Sequence, residues 1–135
     1  MDFTHMLDTN IVSDLIRNPS GVVYERIRRI GESAVCVSII VASEIRFGCA
    51  KKGSERLSLQ AEAVLNALPV LPMEEPVDRE YAAIRADLEK RGLPIGPNDL
   101  LIAAHARSLS LALAIGNTDE FVRIPGLVVE NWLIA

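Results

Sequence analysis

The chain has little sulfur chemistry to offer. Among 135 residues there are two cysteines, Cys36 and Cys49, without metal-ligand spacing, so neither a disulfide framework nor a thiolate metal site is expected to organise it. Two unpaired thiols fit a reducing compartment. Long hydrophobic runs are also missing. The longest, Ala34 to Ala42, is broken by Ser38 and falls far short of the roughly 20 residues that span a bilayer, so no membrane association is expected. Met1 to His5 has neither a basic flank nor an apolar segment, so no secretory signal is expected and the cytoplasm is the expected location. Nor is there an excess of positive charge. Lys and Arg number 14 against 18 Asp and Glu, giving a net charge of −4, the wrong sign for holding a polyanion by bulk electrostatics. No repeat, low-complexity tract or long linker divides the chain, and residues 1–135 fit one domain able to bury well over half of its unfolded surface.

What is present is alternation. Phe3 to Leu7 reads as a short buried strand, followed by a helix from Thr9 to Arg17 that Asn18-Pro19 closes. Ser20 is expected to cap a helix through Val23, Ile27 and Ile30 that stops at Gly31. Ala34 to Val37 reads as a second strand, and Ser38 caps a helix running to about Ala50. A helix over Ser54 to Leu68 ends at Pro69, before a short strand at Val70-Leu71. Asp78 is expected to cap a helix that stops at Gly92. After the rigid Leu93 to Pro97 segment comes a helix from Asp99 to Leu109, which Asn98 is suited to cap. Strands at Leu111 to Ile115 and Val128 to Asn131 complete the pattern. Strands alternating with helices predict an α/β domain with a mostly parallel sheet of four to five strands flanked by helices. Ligands gather at the carboxyl ends of such strands.

Four acids stand near those ends: Asp8, Glu44, Asp99 and Asp119. Each has a structural explanation when taken alone. Asp8 and Asp99 suit helix starts, and Asn117-Thr118-Asp119-Glu120 is ordinary turn chemistry. Glu44 is less easily explained, because Ile40, Val41, Phe47 and Gly48 surround it at helical spacing and a buried carboxylate is costly unless paired or coordinated. A cluster of three or four carboxylates suits Mg²⁺ or Mn²⁺ and hence phosphodiester hydrolysis. Asp8 and Asp99 are the first-choice ligands. Glu44, with its longer reach, is placed to bind a second ion or hold a metal water, and Asp119 is the weakest member.

Leu7-Asp8-Thr9-Asn10-Ile11, Val37-Ser38 through Glu44-Ile45-Arg46-Phe47-Gly48, Ile95 through Asp99 to Ala106, and Asn117 to Phe121 with Glu130-Asn131-Trp132 together resemble the PIN-domain ribonucleases, and more closely the VapC-type toxins of bacterial toxin–antitoxin pairs. The resemblance spans essentially the whole chain. It implies a Mg²⁺- or Mn²⁺-dependent endoribonuclease, homodimeric and inhibited by an antitoxin, with RNA as substrate and Asp8, Glu44 and Asp99 as catalytic acids. Relatives carry Thr-x-Asp or Thr-Asn-Asn after the fourth strand. Here Asn117 occupies the matching place and Asp119 follows two residues later, which leaves open which of them serves.

Thr9, Asn10, Asn117 and Arg46 are candidate substrate contacts, and Arg17, Lys51 and Lys52 are candidate phosphate contacts or simply solvated charges. His105, among small residues, and His5, in a strand, are read as hydrogen-bonded structural histidines. Competing readings are a DNase with the same site, another Mg²⁺-dependent phosphotransfer domain and a non-catalytic PIN-fold interaction protein. A receiver domain fits poorly, since Val70-Leu71-Pro72 carries no acid and no lysine follows Lys90. Acids on apolar helix faces would repel one another without a cation, which disfavours the interaction protein.

Overall fold

Short apolar runs bounded by capping residues form the strands of a five-stranded, all-parallel sheet. The computed structural model describes residues 2–116 and 120–133. Its strands are β1 (His5–Leu7), β2 (Val35–Ser38), β3 (Val70–Leu71), β4 (Ala112–Ile115) and β5 (Val129–Asn131), in the order β3-β2-β1-β4-β5. The helices are α1 (Thr9–Arg17), α2 (Val22–Ile30), α3 (Ile39–Lys52), α4 (Glu55–Ala67), α5 (Val77–Lys90) and α6 (Pro97–Ser108). The chain starts in the middle of the sheet, moves outward through β2 to β3, then returns to β4 on the other side of β1. Right-handed crossovers therefore place α1 to α4 on one face and α5 and α6 on the other. In agreement, α1 packs against α2, α3 and α4, while α5 packs against α6. The direction of travel reverses between β1 and β4, which makes that gap the switch point where such sheets bind ligands.

Strands buried on both faces must be apolar, and the centres of β1, β2 and β4 are. Met6, Leu7, Val35, Cys36, Val37, Leu113, Ala114 and Ile115 are all inaccessible to solvent. Both cysteines are free and buried, as small apolar residues. None of the described helices is long and apolar enough to cross a membrane.

Three helix starts differ from the sequence-based expectation. Gly21, not Ser20, is the N-cap of α2, Pro76, not Asp78, precedes α5, and Gly96, not Asn98, precedes α6. In α6 the cause is Pro97, whose fixed φ and missing N–H suit the first helical position and draw the start forward, placing Asn98 in the first turn. Ser38 and Ser54 do cap α3 and α4, accepting from the Ile40 and Leu57 N–H groups.

Ser38 also receives α6. His105, only 2% exposed, lies with Nδ1 2.8 Å from Ser38 Oγ, and its ring also bonds Pro72. Proline offers only a carbonyl, so the nitrogen facing it carries the proton and Nδ1 accepts from the Ser38 hydroxyl. Burial pushes the His105 pKa below the usual histidine range, which keeps the ring neutral. The chain thereby joins the end of β2, the start of α3, the segment after β3 and the middle of α6. Replacing Ser38 by Ala removes the cap and leaves His105 Nδ1 unpaired in the core. Urea denaturation is expected to show a loss of about 1–3 kcal/mol for Ser38→Ala.

Candidate acidic active site

Asp8 follows β1 directly and caps α1, so its position at the switch point is set by both elements. The carboxylate accepts from Thr9 N–H at 2.7 Å, and the Asp8 backbone N–H is held 2.9 Å from the Ala114 carbonyl of β4. Glu44 lies one turn into α3, half-buried. Its Oε1 accepts from Thr9 Oγ1 at 2.5 Å and its Oε2 from Asn98 Nδ2 at 3.4 Å. Asn98 is thus an orienting donor from α6. The expected apolar stripe around Glu44 is real on one side only, since Val41 is buried while Phe47 is 68% exposed. Asp99 sits in the first turn of α6, above the fully buried Ile102, Ala103 and Ala106.

These side chains line one cavity of about 230 Å³, formed by Asp8, Thr9, Asn10, Glu44, Asp99, Glu120 and Phe121. Gly116, at the end of β4, lets the walls approach. A Cβ there would stand 2.6 Å from Leu133 Cδ1 and 3.4 Å from Asn10 Cβ. Glu120 is the residue that sequence reasoning passed over in favour of its neighbour. The signal was Phe121, an aromatic that buries itself to 3% exposure and so anchors the turn that presents Glu120 to the cavity. Asn117 and Asp119 lie outside the described residues. Arg46 does not line the cavity; it forms an ion pair with Glu62 of α4.

The electrostatics follow from crowding like charges where water is scarce. Burial raises the Asp8 pKa to about 6, against the Thr9 N–H bond and with help from the charge of Glu44. Asp99 is pushed up to about 7, first by burial, then by the hydrogen bond its protonated form gives Glu120, then by the charges of Asp8, Glu120 and Glu44. No three described acids or imidazoles converge on one ready-made cage. The carboxylates instead ring the cavity, as suits a hard cation that keeps several of its waters. All-oxygen donors with raised pKa values fit Mg²⁺ or Mn²⁺ and not a thiophilic ion.

A parallel sheet that gathers uncompensated carboxylates at its switch point defines an α/β domain built around an acidic, cation-seeking site. The chain belongs to the PIN-domain family, which residues 5–127 match. Ribonuclease VapC2 from Rickettsia felis is 35% identical over 130 residues, covering 95% of this chain and 97% of the relative. The tRNA(fMet)-specific endonuclease VapC from Shigella flexneri is 35% identical over 128 residues, covering 94% and 96%. Among solved structures, Rickettsia felis VapBC2 bound to a DNA fragment from its promoter has a chain similar to this one with a TM-score of 0.89 and 33% identity, over 96% of this chain and 99% of that one.

Raised pKa values carry a stability consequence. Folded Asp8 and Asp99 hold protons more tightly than they do unfolded, where the pKa is 3.8, so their favourable contribution is complete below about pH 4 and is lost as pH rises through 6 to 7. In the absence of divalent cations, Asp99→Asn is expected to be more stable than the unaltered chain at pH 8, by about 1 kcal/mol because the half-buried group is partly screened. That gap should narrow as the pH falls and close near pH 4 in urea denaturation.

Proposed function

We infer that the chain is a toxin of a toxin–antitoxin pair that hydrolyses RNA phosphodiester bonds, with Asp8, Glu44 and Asp99 as its catalytic acids. The observation that carries this reading is the cavity at the β1–β4 switch point, walled by these three carboxylates and Glu120 and lined by no lysine or arginine among the described residues. The names of the Rickettsia and Shigella relatives supply the substrate class, and the VapBC neighbour supports a cognate antitoxin as partner.

In the proposed site, Asp8, Asp99 and Glu44 would hold Mg²⁺ or Mn²⁺, and Glu120 would join them as a further oxygen donor. The bound cation would supply Lewis acidity at a phosphoryl oxygen and offset the charge of the phosphate. The chain's own groups hold the geometry. The Thr9 hydroxyl and the Asn98 amide, both neutral, fix the Glu44 carboxylate without cancelling its charge. Asn10 lines the mouth, where its amide can donate to a phosphate oxygen. Exposed Ile39 and Phe47 on α3, 43% and 68% accessible, support a homodimer.

The test is incubation of antitoxin-free protein with tRNAs, ribosomal RNA and single-stranded DNA, in Mg²⁺, in Mn²⁺ and in EDTA. Discrete metal-dependent RNA cuts are expected, with Asp8→Asn and Asp99→Asn lowering the rate at least about 100-fold, as loss of electrostatic stabilisation does in other active sites. Intact RNA under every condition would remove the ribonuclease assignment. Calorimetry with Mn²⁺ should show weaker binding at pH 6 than at pH 8, with more protons released per ion at the lower pH, because the ion must displace protons held up to about pH 7.

A further inference from the structure

Beside the acidic cavity, and sharing Thr9 and Glu44 with it, a groove of about 180 Å³ runs between α1 and α3. Both helices leave the same edge of neighbouring parallel strands and run in the same direction. Groove-lining residues therefore fall in successive rungs. Thr9 and Glu44 form the first, Ser13 and Gly48 the second four residues on, and Arg17 and Lys52 the third after four more. Eight helical residues advance about 12 Å. The groove thus starts at the carboxylates and ends between two cations.

Arg17 and Lys52 are exposed, and neither joins an ion pair among the described residues. A basic residue in the last turn of a helix is favoured by the helix dipole, so their presence alone has a structural explanation. Gly48 has none within the chain. It sits in the interior of α3, where glycine costs helix stability relative to alanine, and no atom lies within 4 Å of where its Cβ would be. No internal packing requires the missing side chain. The space it leaves lies on the line from the acidic cavity to the two cations.

We propose that this groove carries the RNA strand away from the acidic cavity, with the backbone passing over Gly48 and phosphates beyond the scissile one held by Arg17 and Lys52. This rests on the ribonuclease reading and adds to it the path of the substrate. Such contacts position a strand without reading its sequence.

The experiment measures single-stranded RNA binding to the full chain in EDTA across a salt series, alongside cleavage in Mg²⁺. The Arg17→Ala/Lys52→Ala double variant should bind about tenfold more weakly and lower the slope of log affinity against log salt by roughly 1.4, about 0.7 for each lost phosphate contact. Gly48→Leu should also weaken binding, with an unfolding midpoint no lower than that of the unaltered chain. Arg79→Ala, an exposed charge on α5 away from the groove, should change neither. RNA binding by the groove variants equal to that of the unaltered chain, an equal effect from Arg79→Ala, or no RNA affinity at low salt overturns the proposal. So does loss of antitoxin affinity with RNA binding intact, which assigns the groove to the protein partner. Absence of cleavage by the unaltered chain counts against the ribonuclease reading alone, since binding is read without turnover.

Discussion

Carboxylates that repel one another at a poorly hydrated spot are the constraint around which the rest of this molecule is arranged. Among the described residues no cation relieves that repulsion, and proton uptake by Asp8 and Asp99 does so only in part. The chain's arginines near the sheet are engaged elsewhere: Arg46 with Glu62, Arg107 with Glu80 at 2.6 Å, Arg91 with Asp87 at 2.5 Å. Among the described residues, the donors that approach Asp8 and Glu44 are neutral, the Thr9 backbone and hydroxyl and the Asn98 amide. Such donors fix direction while leaving the charge in place. Folded alone, the site is therefore held at some cost in stability, the pattern expected where function and not packing selects the residues.

Holding a strained site requires a stiff frame, and the frame is built from buried, satisfied polar groups. The Ser38–His105–Pro72 chain ties α3 and α6 to the sheet, and these two helices deliver Glu44 and Asp99. Because His105 stays neutral, the linkage adds no further charge near the acids. Gly116 serves the same end by a different route, since any side chain there would collide with Leu133 and press on Asn10. A second polar cluster, His5 and Trp132 on Glu130, stiffens the opposite strand of the sheet, with both rings bonded to the same carboxylate oxygen.

Much of this was legible from spacing. Alternation of apolar runs with capped helices leads to the parallel α/β sheet, and acids at element boundaries lead to Asp8, Glu44 and Asp99, because both patterns are local. What escaped depends on competition between neighbours. Asn98 is a better capping residue than glycine in isolation, yet Pro97 moves the start of α6 to Gly96 and releases Asn98 to reach Glu44. Glu120 lines the cavity because Phe121 buries itself beside it, a tertiary event with no periodic signature. Arg46, two residues from Glu44 in the sequence, is drawn to Glu62 because α4 packs on α3. Helical neighbours of Glu44 mislead for the same reason. Phe47 shares its stripe but stands in solvent, since α3 is covered along one side only.

The acidic balance of the whole chain, −4, is a weak guide to its partners once distances are considered. At physiological ionic strength exposed charges are screened beyond about 8 Å, so a polyanion senses the groups it touches and not the sum over the surface. Along the roughly 12 Å of the groove the molecule offers an unusual sequence of fields: carboxylates, then an uncharged stretch that includes Ile16, Ile45, Gly48 and Cys49, then Arg17 and Lys52. A strand lying along α1 and α3 meets repulsion at one end unless a divalent ion is present, and attraction at the other whether or not it is. Binding and chemistry are thereby separated in space. On the proposed path the cationic end would retain the strand, while a cation-loaded acidic end would permit the phosphate to enter.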